Sequence, residues 1–292
     1  MQQLFTLIKL KVMKVKPRDI KFWSEVSEQI MFEAHESVKP LIGKKEAGEI
    51  VKMGADGTPT KLIDIVAEDK VVEVLKQTER PVTLISEEIG ELKIGDGPSE
   101  AVFVVDPLDG TRNALKNIPA YGISIAISDG SSSIQDLKLT DIEMGFVKNF
   151  ANNDIYHAKK GAGAWLNKEK ISPSNREEVA GSSIGAYIYR ADMSKIDKLC
   201  ASVRSMRILG SVAIELCYVA NGTYDAFLDI RGNMRVMDIA AAKLIIEESH
   251  GLVTDDKCKP LINDLNVLER TSIIASCNKN FHAQIISILG GV

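Results

Sequence analysis

Two short apolar runs that each end in acidic residues constrain this chain most. Val82–Ile85 leads directly into Ser86-Glu87-Glu88, and Ala101–Val105 leads directly into Asp106 and Asp109. Both runs are continuous rather than alternating, which is typical of strands that are buried on both faces. Because open sheets place their ligand crevice at the carboxyl ends of their strands, we expect these acids to meet there. The sequence therefore predicts a buried sheet with a cluster of carboxylates at one end.

The segment from Asp106 to Thr111, Asp-Pro-Leu-Asp-Gly-Thr, is informative in its own spacing. Pro107 restricts the backbone after the strand, so that two carboxylates three residues apart can face one point, with the Leu108 carbonyl between them. Oxygen ligands without histidine or cysteine select Mg²⁺, Mn²⁺ or Ca²⁺ over zinc. An ordinary turn with a helix cap would explain Asp109-Gly110-Thr111, but it leaves the convergence of acids from two strands unexplained.

Gly110 and Thr111 are predicted to begin a short helix after the second acid. The first turn of a helix has free backbone N–H groups and the positive end of the helix dipole, which together favour phosphate. Carboxylates that bind metal beside a phosphate seat predict metal-assisted phosphoryl transfer. No cysteine or serine stands in a nucleophile motif, so hydrolysis without a covalent phospho-enzyme is expected.

Four motifs in this order resemble those of the inositol monophosphatase and fructose-1,6-bisphosphatase superfamily, especially its archaeal dual-activity type. They are Gly57-Thr58-Pro59-Thr60 with Asp56 and Asp64, Ser86-Glu87-Glu88, Asp106 to Thr111, and Met237-Asp238-Ile239-Ala240-Ala241. The third motif is specific, and the others count only as a set. Met237 departs from the tryptophan usual in the animal enzymes, which affects the packing beside Asp238 and leaves the carboxylate in place. Asp238 could also be only a helix cap.

The resemblance implies roles for the acids. Glu87, Asp106 and the Leu108 carbonyl would hold a first Mg²⁺, while Asp106, Asp109 and Asp238 would hold a second, and Glu87 would share a third. Mn²⁺ is an expected substitute for Mg²⁺. The resemblance further implies that Asp56 and Thr111 position or deprotonate the attacking water. The backbone of Gly110 and Thr111 would bind the phosphate.

The same resemblance implies substrate contacts in the second half of the chain. Gly210, Ser211 and Val212 match a segment that touches substrate hydroxyls, and Asp229 matches an acid that binds a polyol hydroxyl. A bisphosphate needs cations at its far end, and the candidates, with two nearby tyrosines, are Arg190, Lys195, Arg207, Arg231, Tyr187 and Tyr189. Each of them could equally be a solvated surface charge or a partly buried aromatic ring.

The predicted fold is α/β, layered αβαβα, with the active site between two domains. Residues 1–178 are expected to form a largely antiparallel sheet backed by helices, and residues 179–292 a smaller α/β domain. The predicted N-terminal elements are helices at Pro17–Leu41 and Lys61–Gln77, a mobile loop or hairpin at Gly43–Gly57, and further strands at Tyr121–Ser128, Ile142–Val147, Asp154–Ala158 and Ala164–Leu166. The predicted C-terminal elements are strands at Ser183–Tyr187, Tyr224–Leu228 and Thr271–Ala275, helices at Ser194–Met206 and Asp238–Ser249, and a last helix. A further apolar element is expected at Val212–Val219, without a choice between helix and strand.

Composition excludes several classes of protein. The formal net charge of −4 lacks the basic excess of a nucleic-acid surface, and no apolar run approaches the ~18 residues of a membrane span. The four cysteines form no CxxC pair and lie among apolar residues, which predicts buried, reduced thiols and a cytoplasmic protein. Residues 4–12 could be an edge strand or precede a native start at Met13. Lys44 and Lys45 are either a solvated pair or part of a loop that closes over the site.

The expected substrate is a small phosphorylated sugar or polyol, and the resemblance implies a homodimer. The same motifs also serve phosphatases of 3′-phosphoadenosine 5′-phosphate. Two non-enzymatic alternatives are a superfamily member that regulates a protein partner and a structural metal-binding domain, of which the complete set of acids disfavours the first.

Overall fold

The computed structural model describes residues 17–130 and 134–290 of the chain. The interpretations of residues 4–12 and of Met13 lie outside this part. Within it, the chain forms five layers, in the order helices, sheet, helices, sheet, helices. The predicted αβαβα arrangement is confirmed.

The first layer is a pair of helices, α1 (Pro17–Val38) and α2 (Leu62–Gln77), that contact each other and cover one face of the larger sheet. Trp23 and Ile30 belong to the set of α1 side chains that recur at helical spacing on the face toward the sheet, and both are fully buried. Between the helices, β1 (Ile50–Met53) pairs with β2 (Pro59–Lys61) as an antiparallel hairpin. The hairpin alternative for this stretch is therefore confirmed.

The second layer is an eight-stranded sheet with the spatial order β10-β9-β8-β7-β6-β5-β3-β4. Only β3 and β5 run parallel, and all other neighbours are antiparallel, as predicted. Its strands are β3 (Val82–Ser86), β4 (Gly90–Ile94), β5 (Ala101–Asp109), β6 (Gly122–Asp129), β7 (Ile142–Asn149), β8 (Ile155–Lys159), β9 (Gly163–Leu166) and β10 (Glu169–Lys170). A short helix, α3 (Thr111–Lys116), follows β5 directly.

The third layer consists of two helices buried between the sheets, α5 (Val212–Ala220) and α6 (Val236–Glu248). The element at Val212–Val219 is thus a helix, and its nearly continuous apolar sequence reflects burial on all sides. Gly145 on β7 lets α6 approach closely, because a Cβ there would lie 2.8 Å from the carbonyl oxygen of Ala241. This contact fixes the helix whose first turn carries Asp238.

The fourth layer is a five-stranded sheet with the order β12-β11-β13-β15-β14, in which β11 is parallel to both of its neighbours. Its strands are β11 (Ser183–Ala186), β12 (Ser205–Arg207), β13 (Ala226–Arg235), β14 (Leu252–Thr254) and β15 (Arg270–Ser276). The fifth layer is formed by α4 (Met193–Ser202) and α7 (Lys279–Ile288), which pack on its outer face.

Several element boundaries and two cysteines differ from the predictions: the helix expected to end at Leu41 ends at Val38, and the strand expected at Tyr224–Leu228 is β13, Ala226–Arg235. The helix expected to reach Met206 ends at Ser202, because the backbone is extended at Val203 and the N–H groups of the next two residues donate to the Ser182 carbonyl. The four cysteines are free thiols, but Cys200 and Cys258 are exposed rather than buried. None of the described helices is both long and apolar enough to cross a bilayer.

Candidate active site

Asp106 lies where β5 deviates from regular pairing with β6. The register shifts between Asp106 and Asp109, and Asp106 Oδ1 accepts a hydrogen bond from the Leu108 N–H at 3.1 Å. The other oxygen, Oδ2, is buried and has no hydrogen-bond partner among the described residues. Burial, together with the neighbouring carboxylates of Glu87, Asp238 and Asp109, raises the pKa of Asp106 well above its ordinary value. A buried carboxyl oxygen without a partner is a group that a bound cation would complete.

Asp109 is held by the beginning of α5. Its carboxylate accepts hydrogen bonds from the Ser211 hydroxyl at 2.6 Å and from the N–H groups of Val212 and Ala213 at 3.1 and 2.8 Å. Burial raises the pKa of Asp109 to about 7, against the lowering effect of the Ser211 hydrogen bond. Since Ser211 and the Val212 N–H are engaged with Asp109, the structure does not offer them to substrate hydroxyls as predicted.

Arg235, a residue that no sequence motif indicated, connects three acids at the end of β13. Its Nε lies 3.0 and 3.1 Å from the two carboxylate oxygens of Asp238, and its Nη1 lies 3.0 Å from Asp56 Oδ2 and also contacts Glu87. Burial raises the pKa of Glu87 to about 8, although Arg235 opposes that rise. For Asp56, burial acts in the same direction but is outweighed by hydrogen bonds from Thr58 and Arg235, so its pKa is lowered.

The hydroxyl of Thr111 pairs with Asp64, not with Asp56. Thr111 Oγ1 lies 2.8 Å from Asp64 Oδ1 and 3.1 Å from the Leu108 carbonyl, whereas Asp56 bonds to Thr58 and Arg235. Burial raises the pKa of Asp64, partly opposed by the Thr111 hydrogen bond. The predicted pairing of Asp56 with Thr111 is therefore corrected. The sequence contained one signal for Asp64: it is an acid in the otherwise apolar first turn of α2. The structure shows that this acid is buried.

A second pair of buried acids supports the segment around Glu87. Glu88 accepts a hydrogen bond from the Thr60 hydroxyl, and Glu68 on α2 accepts one from the Ser86 hydroxyl. Burial raises the pKa of Glu88 to about 7. These bonds join the β1–β2 hairpin and α2 to the end of β3, so that they position the loop that carries Glu87.

A cavity of about 800 Å³ lies beside these acids. Glu87, Asp109, Asp238, Asp64 and Arg235 reach it. Of the predicted substrate residues, those that line it are Gly110, Thr111, Tyr187, Arg190, Gly210 and Val212. Tyr189 also lines it and is half exposed, and two further cations at its wall, Lys61 and Arg112, were not predicted. The cavity thus has acids at one part of its wall and several basic groups at others.

Four predicted substrate residues do not line this cavity. Asp229 is fully buried and paired with Arg231, whose Nε and Nη2 lie 2.9 and 2.6 Å from its carboxylate oxygens. Arg207 donates to the hydroxyls of Ser205 and Ser183, and Ser211 is buried against Asp109. In the structure each of these groups already has a protein partner. The side chain of Lys195 lies outside the described part.

The donor set fits a hard divalent cation. The acids Glu87, Asp106, Asp109 and Asp238 and the Leu108 carbonyl offer oxygen only, as Mg²⁺ requires. Over the described ranges, however, no three acidic, histidine or cysteine side chains converge closely enough to enclose an ion as they stand. The Arg235 guanidinium lies between Glu87 and Asp238, which explains why these two acids do not close on one point.

The layered αβαβα fold and this cluster of acids beside a cavity define a phosphatase-type architecture. The protein belongs to the inositol monophosphatase family, whose sequence profile matches residues 19–291. Members of this family are metal-dependent phosphatases. Because members of this family depend on a metal, the cluster of oxygen donors is the candidate metal site of this chain.

Three relatives illustrate the similarity. The fructose-1,6-bisphosphatase/inositol-1-monophosphatase of Methanothermobacter thermautotrophicus is 52% identical over 93% of this chain and 98% of that protein. The bifunctional NADP phosphatase/NAD kinase of Methanocaldococcus jannaschii is 38% identical over 91% of this chain, which spans 50% of that protein. The crystal structure of an inositol monophosphatase–fructose 1,6-bisphosphatase matches with a TM-score of 0.79 at 31% identity, covering 91% of this chain and 99% of the other.

Proposed function

We propose that this protein is a magnesium-dependent phosphatase that hydrolyses monoesters of small sugar or polyol phosphates, namely fructose 1,6-bisphosphate, inositol monophosphate or both. The observation that carries the proposal is the buried, unpartnered Oδ2 of Asp106 beside Asp109 at the end of β5. Similarity to archaeal enzymes of both activities supports the substrate class. The enzyme class, a phosphoric monoester hydrolase, follows from family membership.

The proposed metal site would hold two or three Mg²⁺ ions, with Mn²⁺ as a substitute. Its ligands would be Glu87, Asp106, the Leu108 carbonyl, Asp109 and Asp238. When bound, such ions neutralise the charge of the phosphate and activate water for attack. The hydrogen bonds from α5 to Asp109 leave part of its oxygen surface free, because a carboxylate has about four acceptor positions.

The pair Thr111 and Asp64 supplies the groups that orient the attacking water in this proposal. By donating to Asp64, the Thr111 hydroxyl keeps its own lone pairs available to accept a hydrogen bond from water. Both residues line the cavity, so a water molecule there can reach them. Asp64, whose pKa is raised by burial, is suited to receive the proton that moves through Thr111.

The substrate itself would contact other parts of the cavity wall. The backbone of Gly110 and Thr111 would receive the reacting phosphate, while Tyr187 and Arg190 lie on the same wall. Arg190, Lys61 and Arg112 supply positive charge for a second phosphate, which a bisphosphate substrate carries. The same cations are compatible with a monophosphate, so the cavity does not by itself choose between the two substrates.

Nucleotide phosphatase is the second candidate function. A half-exposed tyrosine ring, Tyr189, stands at the cavity wall, where it could stack against a nucleobase. The similarity to the bifunctional NADP phosphatase/NAD kinase supports the same class. NADP and 3′-phosphoadenosine 5′-phosphate are therefore the nucleotides to compare with the sugar phosphates. A role as a protein-binding regulator is disfavoured because the set of acids is complete.

The decisive test is Asp106→Asn measured against a panel of substrates. We expect this change to lower phosphate release by at least about a thousandfold, because it removes the carboxylate predicted to bridge two ions. The panel is fructose 1,6-bisphosphate, inositol 1-phosphate, NADP and 3′-phosphoadenosine 5′-phosphate. Asp264→Asn is the matched control, since this exposed aspartate pairs with Lys138 away from the cavity. Near-normal turnover of Asp106→Asn on every substrate would refute the proposal.

Three further proposals concern the whole protein. We propose two structural units at 1–178 and 179–292, since the strands of the larger sheet end at Lys170 and those of the smaller one begin at Ser183. A cytoplasmic location is proposed from the free thiols, two of which are exposed. A homodimer is proposed from the resemblance to the superfamily. Light scattering of the purified protein tests the last of these.

A further inference from the structure

Arg235 is the one residue in the described part that contacts three acids of the site at once. Its guanidinium pairs with Asp56, Glu87 and Asp238, and its side chain is 23% exposed, so the three pairs are mostly withdrawn from water. Arg270 reaches the same Asp56 oxygen only at 3.9 Å. Arg235 is thus the principal positive charge inside the cluster of acids.

The three partners of Arg235 come from separate elements. Asp56 lies in the turn of the β1–β2 hairpin, Glu87 follows β3, and Asp238 lies in the first turn of α6. Partly buried carboxylates at such short range repel one another unless a cation lies between them. A planar guanidinium presents five N–H donors in a fixed fork and can bond several carboxylates at once, a geometry that the three donors of a lysine ammonium do not reproduce. Arg235 therefore adds an ionic link between the hairpin, the segment after β3 and the first turn of α6.

Two of these partners, Glu87 and Asp238, are also proposed ligands of the divalent ions. The carboxylate oxygens that bond to Arg235 are those that an ion would need, and Asp106 Oδ2, which Arg235 does not satisfy, remains without a partner. Asp56 differs from the other two, because its side chain is completely buried and is held in addition by Thr58. The guanidinium and a metal ion thus compete for Glu87 and Asp238 but not for Asp56.

We propose that Arg235 is an internal counter-ion for the metal site: it holds Glu87 and Asp238 in the metal-free protein and is displaced from them, while remaining bound to Asp56, when a divalent cation binds. This inference rests on the proposed metal site. It makes Arg235 a positioning residue that sets the affinity for the ion without touching the substrate. In the structure the Arg235 guanidinium lies between Glu87 and Asp238, and the acids of the described part do not converge on one point.

The test measures the dissociation constant of Mn²⁺ by electron paramagnetic resonance and the melting temperature in EDTA and in excess Mg²⁺. For Arg235→Met we expect Mn²⁺ to bind more tightly by about tenfold or more, since a positive charge within a few ångströms of the ion is removed. The melting temperature in EDTA should fall, and the increase caused by Mg²⁺ should grow. Arg235→Lys keeps the charge but not the fork of donors, so its Mn²⁺ affinity should lie between those of the unmodified protein and Arg235→Met.

The matched control is Arg176→Met, which removes another arginine–aspartate pair, 3.1 Å from Asp225 and away from the cavity, and should leave the Mn²⁺ affinity unchanged. Unchanged or weaker Mn²⁺ binding by Arg235→Met would overturn the inference while leaving the metal site intact. Absence of Mn²⁺ binding by the unmodified protein would overturn both the metal site and the inference.

If Arg235→Met does not fold, nitrogen-15 NMR of the unmodified protein decides the matter. The Nε–H signal of Arg235 is assigned by its loss in Arg235→Lys. It should move on addition of Mg²⁺ as the two bonds to Asp238 break. A signal that does not move when Mg²⁺ binds overturns the proposal.

Discussion

The position of the Thr111 hydroxyl determines which acid can act with it. Asp56 and Asp64 lie in the same motif, and sequence alone suggested the former as the partner. The 2.8 Å hydrogen bond from Thr111 to Asp64 favours the latter, while Asp56 is occupied by Thr58 and Arg235. When a motif contains two acids, the direction of each side chain decides which one can accept a proton from Thr111 and which one only holds neighbouring residues in place.

Asp64→Asn tests this assignment at the residue scale. We expect kcat to fall by about 10²–10⁴-fold, the usual contribution of a general base, while the Mn²⁺ affinity stays nearly unchanged because Asp64 is not among the proposed ligands. Thr111→Val should cause a similar loss, and Thr111→Ser, which keeps the hydroxyl, should cause little. The losses of Asp64→Asn and Thr111→Val should not add in the double variant, since the residues act as a unit.

The contrast with Asp56 makes the result decisive. Asp56→Asn should lower turnover less than Asp64→Asn does. If Asp64→Asn retains normal turnover and Asp56→Asn does not, the pairing suggested by the sequence is restored.

At the scale of secondary-structure elements, β11 and β12 separate two arginines that looked equivalent in the sequence. Arg190 follows β11 and lines the cavity, whereas Arg207 ends β12 and donates to Ser183 and Ser205 instead. The second strand arises because the chain leaves α4 in an extended conformation at Val203. A helix continued to Met206, as predicted, would have placed Arg207 differently.

Arg190→Gln and Arg207→Gln form a matched pair for substrate binding. Arg190→Gln should raise the KM for fructose 1,6-bisphosphate by about tenfold, the effect of losing one charged hydrogen bond, and leave kcat unchanged. The KM for inositol 1-phosphate, which lacks a second phosphate, should change little. Arg207→Gln should affect neither substrate. Equal effects of both changes in steady-state kinetics would contradict the placement of the second phosphate near Arg190.

At the scale of the whole molecule, the acids of the site come from three of the five layers and from the loops that join them. Burial raises the pKa of Glu87 to about 8 and those of Glu88 and Asp109 to about 7. Between their ordinary values near 4 and these raised values, the folded protein binds more protons than the unfolded chain does. The stability that these groups contribute is therefore fully present at low pH and is lost as the pH rises to about 8.

This fall in stability with rising pH predicts how the metal-free protein responds to pH. The melting temperature in EDTA should be higher at about pH 5.5 than at about pH 8.5, because ionisation of the buried acids favours unfolding at the higher pH. Saturating Mg²⁺ should remove most of the difference, since the ion replaces protons on its ligands. Glu88→Gln should make the slope in EDTA shallower, while Glu91→Gln, on the exposed side of β4, should not. A melting temperature in EDTA that rises over this range would contradict the assignment of this pH dependence to the buried acids.

The sequence by itself determined the layers of the fold and the region of the site. The continuous apolar runs ending in Glu87 and in Asp106 and Asp109 could be interpreted without coordinates, because burial on both faces requires such runs and strand ends define the crevice. The contribution of Asp238 was predicted from a motif more than a hundred residues away. The predicted layers depend on periodicity and on local backbone geometry, which neighbouring residues specify, whereas the role of Asp238 was implied by the resemblance to the superfamily.

Only the tertiary structure decided which side chains face one another. Asp64 rather than Asp56 meets Thr111, Arg231 is neutralised by Asp229, and Arg235 stands among acids from distant parts of the chain. Such partners depend on how α6 packs onto the larger sheet and how the β1–β2 hairpin is fastened to the end of β3. The residues next to a charged side chain in the sequence do not indicate its partner. The pairing is stabilised by burial beside groups that only the fold brings together.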